Sequence, residues 1–104
     1  MKTSELQGAA LDWAVAKCER VEFTYEDHPH HEMFDMHYST NWSQGGPIIE
    51  REKIQTGWDG DQWIAKYEIG DGSWQSGPTP LIAGMRCFVK SQLGDEVEIP
   101  EELK

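Results

Sequence analysis

Apolar residues recur at helical spacing near the N-terminus. Leu11, Val15 and Cys18 fall at i, i+4 and i+7, so they lie on one face of a helix. Four alanines, at positions 9, 10, 14 and 16, lie around them, and alanine favours helix while permitting close packing. The pattern predicts a helix over about residues 7–18.

A second, broader apolar stripe appears near the C-terminus. It comprises Leu81, Ile82, Met85, Phe88, Val89 and Leu93. Thr79 and Pro80 precede it as a typical N-cap and a typical first helical residue, and Gly94 follows it as a typical terminator. Arg86 and Lys90 are placed toward the negative end of the helix dipole. These signals predict a helix over residues 80–93.

Between the helices the period changes from helical to alternating. Two Asp-Gly turns, at 59–60 and 71–72, enclose a segment in which every second residue is apolar. The apolar members are Trp63, Ala65, Tyr67 and Ile69. Flanking pieces at 54–58 and 73–76 would complete an antiparallel meander, and 21–25 alternates in the same way. The sequence therefore predicts an α+β fold in which two helices pack on a small antiparallel sheet.

The remaining segments are polar or interrupted. Residues 27–46 are rich in Asp, His, Asn, Ser and Gly, which predicts a long irregular loop. The Gly-Gly-Pro run at 45–47 is a typical breaker, with a short helix expected over 48–53. Residues 95–104 read as an acidic surface tail. The length predicts one domain, 1–104.

Composition excludes partners more readily than it names one. The chain has 19 acidic against 9 basic residues and a formal net charge of −10. This balance disfavours direct binding of nucleic acid and of anionic membrane, since both need clustered Lys and Arg. Residues 21–50 contain six acids and no Lys or Arg. That block fits either an acidic face that imitates nucleic acid or a solvated face that keeps the protein soluble.

Four histidines raise the question of a metal. His28, His30, His31 and His37 lie among carboxylates, and neutral imidazole is a good ligand for Zn²⁺ or Ni²⁺. Pro29 prevents a regular helical display, however, and no cysteine lies nearby. Ordinary loop composition is the favoured interpretation, so we predict no metal and no cofactor. A local pH switch is a further alternative.

No catalytic motif stands out. The chain contains no GxSxG elbow and no HExxH pair, so we predict a non-enzymatic protein with no catalytic residues. It also has no basic segment followed by a long apolar run and no stretch long enough to span a bilayer. We therefore expect neither a secretion signal nor membrane insertion.

The segment 41–50, with sequence NWSQGGPIIE, is the candidate recognition surface because it mixes an aromatic residue with amide side chains. The residues selected are Asn41, Trp42, Gln44, Gly45, Gly46, Pro47 and Glu50. Its glycines could expose backbone N–H groups to an anion, but the pattern is not a phosphate-binding loop. The alternative is that the glycines supply unusual backbone angles while Trp42 and Ile49 pack.

Five tryptophans are many for this length. Trp13, on the first helix, and Trp63, on the alternating strand, are expected in the core. Trp42, Trp58 and Trp74 lie in or near turns, so one or more of them should be exposed.

Three blocks together resemble the NinX-like family of small phage proteins. They are TSEL and GAALDWAVA within residues 3–16, NWSQGGPIIE at 41–50, and GPTPLIA with MRC within 77–87. The resemblance implies a phage or prophage origin and action in the cytoplasm of an infected bacterial host. It implies no reaction. The leading hypothesis is a non-enzymatic accessory protein that binds a host or phage protein. The alternatives are an acidic mimic that occupies a DNA- or RNA-binding protein, and a His-rich metal- or ligand-binding protein.

Overall fold

The fold consists of three α-helices and a three-stranded antiparallel sheet, as a computed structural model describes it for residues 1–19, 37–67 and 74–103. The helices are α1 (Gly8–Cys18), α2 (Trp42–Glu52) and α3 (Pro80–Leu93), and the strands are β1 (Ile54–Trp58), β2 (Trp63–Tyr67) and β3 (Trp74–Gly77). The sheet order is β1-β2-β3. The predicted α+β class is confirmed, and the helices predicted over 7–18 and 80–93 lie within one residue of their expected bounds.

Helix α3 is the centre of the molecule. It contacts α1, α2 and all three strands, and eight of its residues, from Leu81 to Val89, are buried. A helix that is apolar on most of its circumference must be enclosed by other elements. Its ends follow the predicted signals: the Thr79 hydroxyl accepts the Ile82 N–H at 3.1 Å, and the Gly94 N–H donates to the Lys90 carbonyl at 2.9 Å.

The sheet packs one face against α3. Ile54, Ala65 and Gln75 share this face in the strand register, and all three are buried. The turn between β1 and β2 is the predicted Asp-Gly turn, in which the Asp59 carboxylate accepts two backbone N–H groups at 2.9 Å. The predicted strand at 21–25 and the turn at 71–72 lie outside the described residues.

Helix α2 begins earlier than the sequence pattern predicts. Residues 42–46, expected to be the end of the irregular loop 27–46, are helical, and Pro47 lies inside the helix instead of starting it. The Asn41 side chain accepts the Ser43 N–H at 2.9 Å and so caps the helix six residues before the proline. Burial of Ile48 against the core then outweighs the weak helix propensity of this segment.

The acidic tail contributes two residues to the core and pairs with the N-terminus. The acids in this tail are exposed, but Val97 and Ile99 between them are each only 5% exposed. Val97 also exchanges two hydrogen bonds with Met1: its N–H donates to the Met1 carbonyl at 2.9 Å, and its own carbonyl accepts from the Met1 amino group at 3.0 Å. The alternation of polar and apolar residues at 96–99 is a strand-like signal that the acidic composition concealed.

Arg86 does not act as a surface charge at the helix end, contrary to its placement from the sequence. Its side chain is buried, and its Nε donates to the Leu6 carbonyl at 2.7 Å while Nη1 donates to the Ser76 carbonyl at 2.8 Å. Burial lowers the pKa of the guanidinium. The side chain therefore ties the segment before α1 and strand β3 to the same turn of α3.

None of the helices within the described ranges has the length and apolar character needed to cross a bilayer.

Replacing Met85 with Asp tests the central position of α3. Met85 is 0% exposed, so a carboxylate there would be buried without a partner, and we expect the free energy of unfolding to fall by at least about 4 kcal/mol. The volume-conserving Met85→Leu should cost less than about 1.5 kcal/mol. Urea unfolding followed by circular dichroism measures both. Similar midpoints for Met85→Asp and the wild type would contradict the packing described.

Candidate functional site

The exposed tryptophans mark the surface that the sequence selected. Trp42, Trp58 and Trp74 are 52%, 56% and 54% exposed, whereas Trp13 is buried. Trp63 is half-buried and meets the Trp58 ring edge-on, with the ring centroids 5.4 Å apart. The core position of Trp13 and the exposure of tryptophans near turns are therefore confirmed, whereas Trp63 is only partly buried against the core. Trp42 borders a cleft.

The cleft lies where the beginnings of α2 and α3 approach each other. It has a volume of about 180 Å³ and is lined by Ser39, Thr40, Trp42, Thr79, Leu81 and Ile82. We call it the Trp42 cleft. Pockets for drug-sized molecules are typically about 300 Å³ or larger, so this space suits one side chain of a partner better than a free cofactor.

The predicted site residues separate into exposed and structural groups. Asn41, Trp42, Pro47 and Glu50 are exposed, Gln44 and Gly46 are half-buried, and Gly45 is buried. Of these seven, Trp42 alone lines the cleft. The Gln44 side-chain oxygen accepts the His37 N–H at 2.6 Å and so joins the first turn of α2 to the residues before it. The segment thus contributes one contact residue and a supporting framework.

The other residues that line the cleft could not be predicted from the sequence. Thr79 was identified as a helix cap, and Leu81 and Ile82 as part of the apolar stripe, but nothing in the sequence places them beside Trp42. Their proximity follows from the packing of α2 on α3, which is a tertiary property.

Two glycines allow that packing. A Cβ atom on Gly45 would collide with the Tyr38 carbonyl oxygen and lie 2.8 Å from Leu81 Cδ1, and a Cβ atom on Gly84 would lie 2.8 Å from Ile49 Cδ1. Positive φ angles among the described glycines occur elsewhere, so Gly45 and Gly46 do not supply unusual backbone angles. Gly45 is required because only glycine permits so close an approach.

A buried carboxylate supports the turn at 38–40. Asp12, on α1, is 6% exposed, and its Oδ1 accepts the Ser39 N–H at 2.8 Å. Burial raises the pKa of Asp12, while the hydrogen bond from the Ser39 N–H and the charge of His37 act in the opposite direction. No sequence pattern selects this residue, because an acid on an alanine-rich helix is usually solvated.

The histidine hypothesis receives no structural support or contradiction. His28, His30 and His31 lie outside the described residues, and His37 is exposed. Within the described ranges, no three His, Cys, Asp or Glu side chains are arranged to hold a metal ion. The absence of a metal and a cofactor stays a prediction.

Alanine substitutions at the two adjacent glycines provide a matched test of the helix contact. Gly45→Ala should lower the free energy of unfolding by about 1–3 kcal/mol, because the new methyl group meets backbone and a core leucine. Gly46→Ala meets only the Trp42 ring at 3.4 Å and gains helix propensity, so its stability should be unchanged or higher by up to about 1 kcal/mol. Thermal and urea unfolding measure the free energy of unfolding of both variants and of the wild type. Equal effects at both positions would contradict the close approach.

Titration of Asp12 should be visible in the pH dependence of stability. Its folded-state pKa is raised above the ordinary 3.8, so the folded state binds this proton more tightly than the unfolded state. The Asp12 contribution to stability therefore falls as pH rises through the interval between the two pKa values. Asp12→Asn retains an oxygen acceptor without the charge.

The free energy of unfolding of Asp12→Asn, relative to wild type, should therefore increase as the pH rises above the ordinary Asp pKa of 3.8. A difference between the two proteins that does not change with pH would contradict the raised pKa of Asp12.

Comparison with known proteins identifies a family for this chain. A family model described as "Bacteriophage P22, NinX" matches residues 2–92, a span that includes α1, α2, all three strands and nearly all of α3. It also contains the three blocks that carry the sequence resemblance. No curated protein sequence matches the chain. The match extends over most of the chain, and the chain therefore belongs to the phage P22 NinX family.

Proposed function

We propose that this phage-family protein is a non-enzymatic accessory module that binds a host or phage protein in the cytoplasm of an infected bacterium. The surface around the Trp42 cleft would make the contact. One observation carries the proposal: Trp42 is 52% exposed at the first position of a well-anchored helix, directly beside a space the size of a side chain.

The anchoring of Trp42 is what distinguishes it from a loosely held surface residue. The Asn41 cap fixes the start of α2, and buried Gly45 and Ile48 fix the helix against the core. An aromatic side chain held in one place loses little conformational entropy on binding, because its backbone is already ordered. Tryptophan is enriched among the residues that dominate binding energy at interfaces.

The surroundings of Trp42 also have the composition of an interface. Thr40, Asn41, Ser43 and Thr79 place uncharged hydroxyl and amide groups around the ring, and all four are exposed. An apolar centre within a polar rim is the usual anatomy of a protein–protein contact. The net charge of −10 would steer a basic partner toward the protein at low salt.

Acidic mimicry of nucleic acid is a second candidate, and the C-terminal segment favours it. Exposed carboxylates follow one another closely there, at Asp95, Glu96, Glu98, Glu101 and Glu102. A partner held by these groups would be released steeply by salt, whereas one held by Trp42 would not. A salt series on the captured complex distinguishes the two.

Affinity capture from infected cells tests the proposal with a matched pair of variants. Trp42→Ala should reduce recovery of a specific partner by at least about tenfold, since interface tryptophans commonly contribute about 2 kcal/mol or more. Trp74→Ala removes an equally exposed tryptophan from β3 and should leave recovery unchanged. Quantitative mass spectrometry measures recovery, and thermal unfolding confirms that both variants are folded.

Two results would contradict the proposal. Equal loss of the partner in both variants, or loss in Trp74→Ala alone, would move the contact away from the Trp42 cleft. Recovery of no specific protein, together with a demonstrated substrate turnover, would exclude a non-enzymatic binding role altogether.

A further inference from the structure

We propose that Asp12 is the positioning residue of the Trp42 cleft: its buried carboxylate fixes the turn 38–40, which forms part of the cleft wall and leads directly into Trp42. The role of the cleft in recognition rests on the function proposed above. The positioning itself is a property of the isolated chain and can be tested without a partner.

The hydrogen bond from Ser39 to Asp12 joins two distant parts of the sequence. The Ser39 N–H donates to Oδ1 of Asp12 at 2.8 Å, across 27 residues of chain. Ser39 is 1% exposed and Asp12 is 6% exposed, so the bond is shielded from solvent. Removing the acceptor would leave a buried N–H unpaired, which favours local opening of the turn.

The turn and the start of α2 form one locally bonded unit. The Thr40 and Asn41 N–H groups donate to the His37 carbonyl at 3.2 and 2.8 Å, and the His37 N–H donates to the Gln44 side chain at 2.6 Å. All of these bonds lie within residues 37–44, so none of them fixes the unit to the rest of the protein. The bond to Asp12 fixes it to α1.

A carboxylate is an expensive acceptor in this position. An amide would accept the same N–H without the cost of burying a charge. The ionisable groups that interact with Asp12 in the described part of the chain are His37 and Tyr38, both on the turn side. A charged acceptor makes a shorter and stronger hydrogen bond than a neutral one. Proteins often accept such a loss of stability at functional sites, where a residue must be held in one position.

Hydrogen exchange on the isolated protein tests the proposal. In Asp12→Ala, peptides covering residues 37–45 should exchange at least about tenfold faster than in wild type, which corresponds to about 1.4 kcal/mol of local opening. Peptides from α3, residues 81–93, should change by less than about twofold. Asp12→Asn keeps an acceptor oxygen and should restore exchange of 37–45 to within about threefold of wild type.

Two further variants keep the result interpretable. Glu5→Ala removes an exposed acid from the segment before α1 and should leave the exchange rates of both sets of peptides unchanged. If Asp12→Ala does not fold, Asp12→Leu removes the acceptor without opening a cavity, and the same local acceleration is expected.

Three outcomes would overturn the positioning role. They are unchanged exchange at 37–45, equal acceleration at 37–45 and in α3, and an Asp12→Asn variant that opens as readily as Asp12→Ala. None of these depends on a binding partner. Failure of the capture experiment with Trp42→Ala would therefore count against the proposed function and leave this inference standing.

Discussion

The enclosure of α3 is the constraint on which the rest of the structure depends. A helix that is buried on most sides requires every other element to present an apolar surface to it, and α1, α2 and the sheet do so. The same enclosure buries Arg86, which is only 8% exposed. Its guanidinium donates to the carbonyl oxygens of Leu6 and Ser76, and these bonds join the N-terminal segment and the sheet to one helical turn. A single polar side chain thus links three parts of the fold.

The position of the candidate site follows from this packing. Because α2 must approach α3 closely, one helix contributes Gly45 and the other Gly84 at the contact. The approach brings the N-terminal ends of the two helices together, and the space left between them is the Trp42 cleft. Trp42 itself contributes little to the core, since about half of its side chain is exposed. The packing of the core therefore determines the position of Trp42, and the exposed ring of Trp42 is available for contact.

The sequence predicted those elements whose signals are local. Helix α3 has a cap, a first-turn proline, a continuous apolar stripe and a terminating glycine, and the hairpin has a period of two and an Asp-Gly turn. Helix α2 was predicted too short, because the Gly-Gly-Pro run suggests a break when the contact with α3 is unknown. Arg86 and Asp12 are of charged residue types that usually lie at the surface, and only the tertiary structure shows that they are buried. The cleft combines residues from two separated segments, 39–42 and 79–82, so no pattern along the chain could define it.

The most direct test of the central claim, that the surface at Trp42 meets a partner protein, is site-specific photo-crosslinking in infected cells. A photoreactive phenylalanine analogue is incorporated at position 42 or at position 58, which is similarly exposed but lies at the hairpin turn. If a partner binds at Trp42, we expect one discrete crosslinked protein from position 42 and none of comparable yield from position 58. The same crosslinked protein in equal yield from both positions, or a crosslink from position 58 alone, would contradict it.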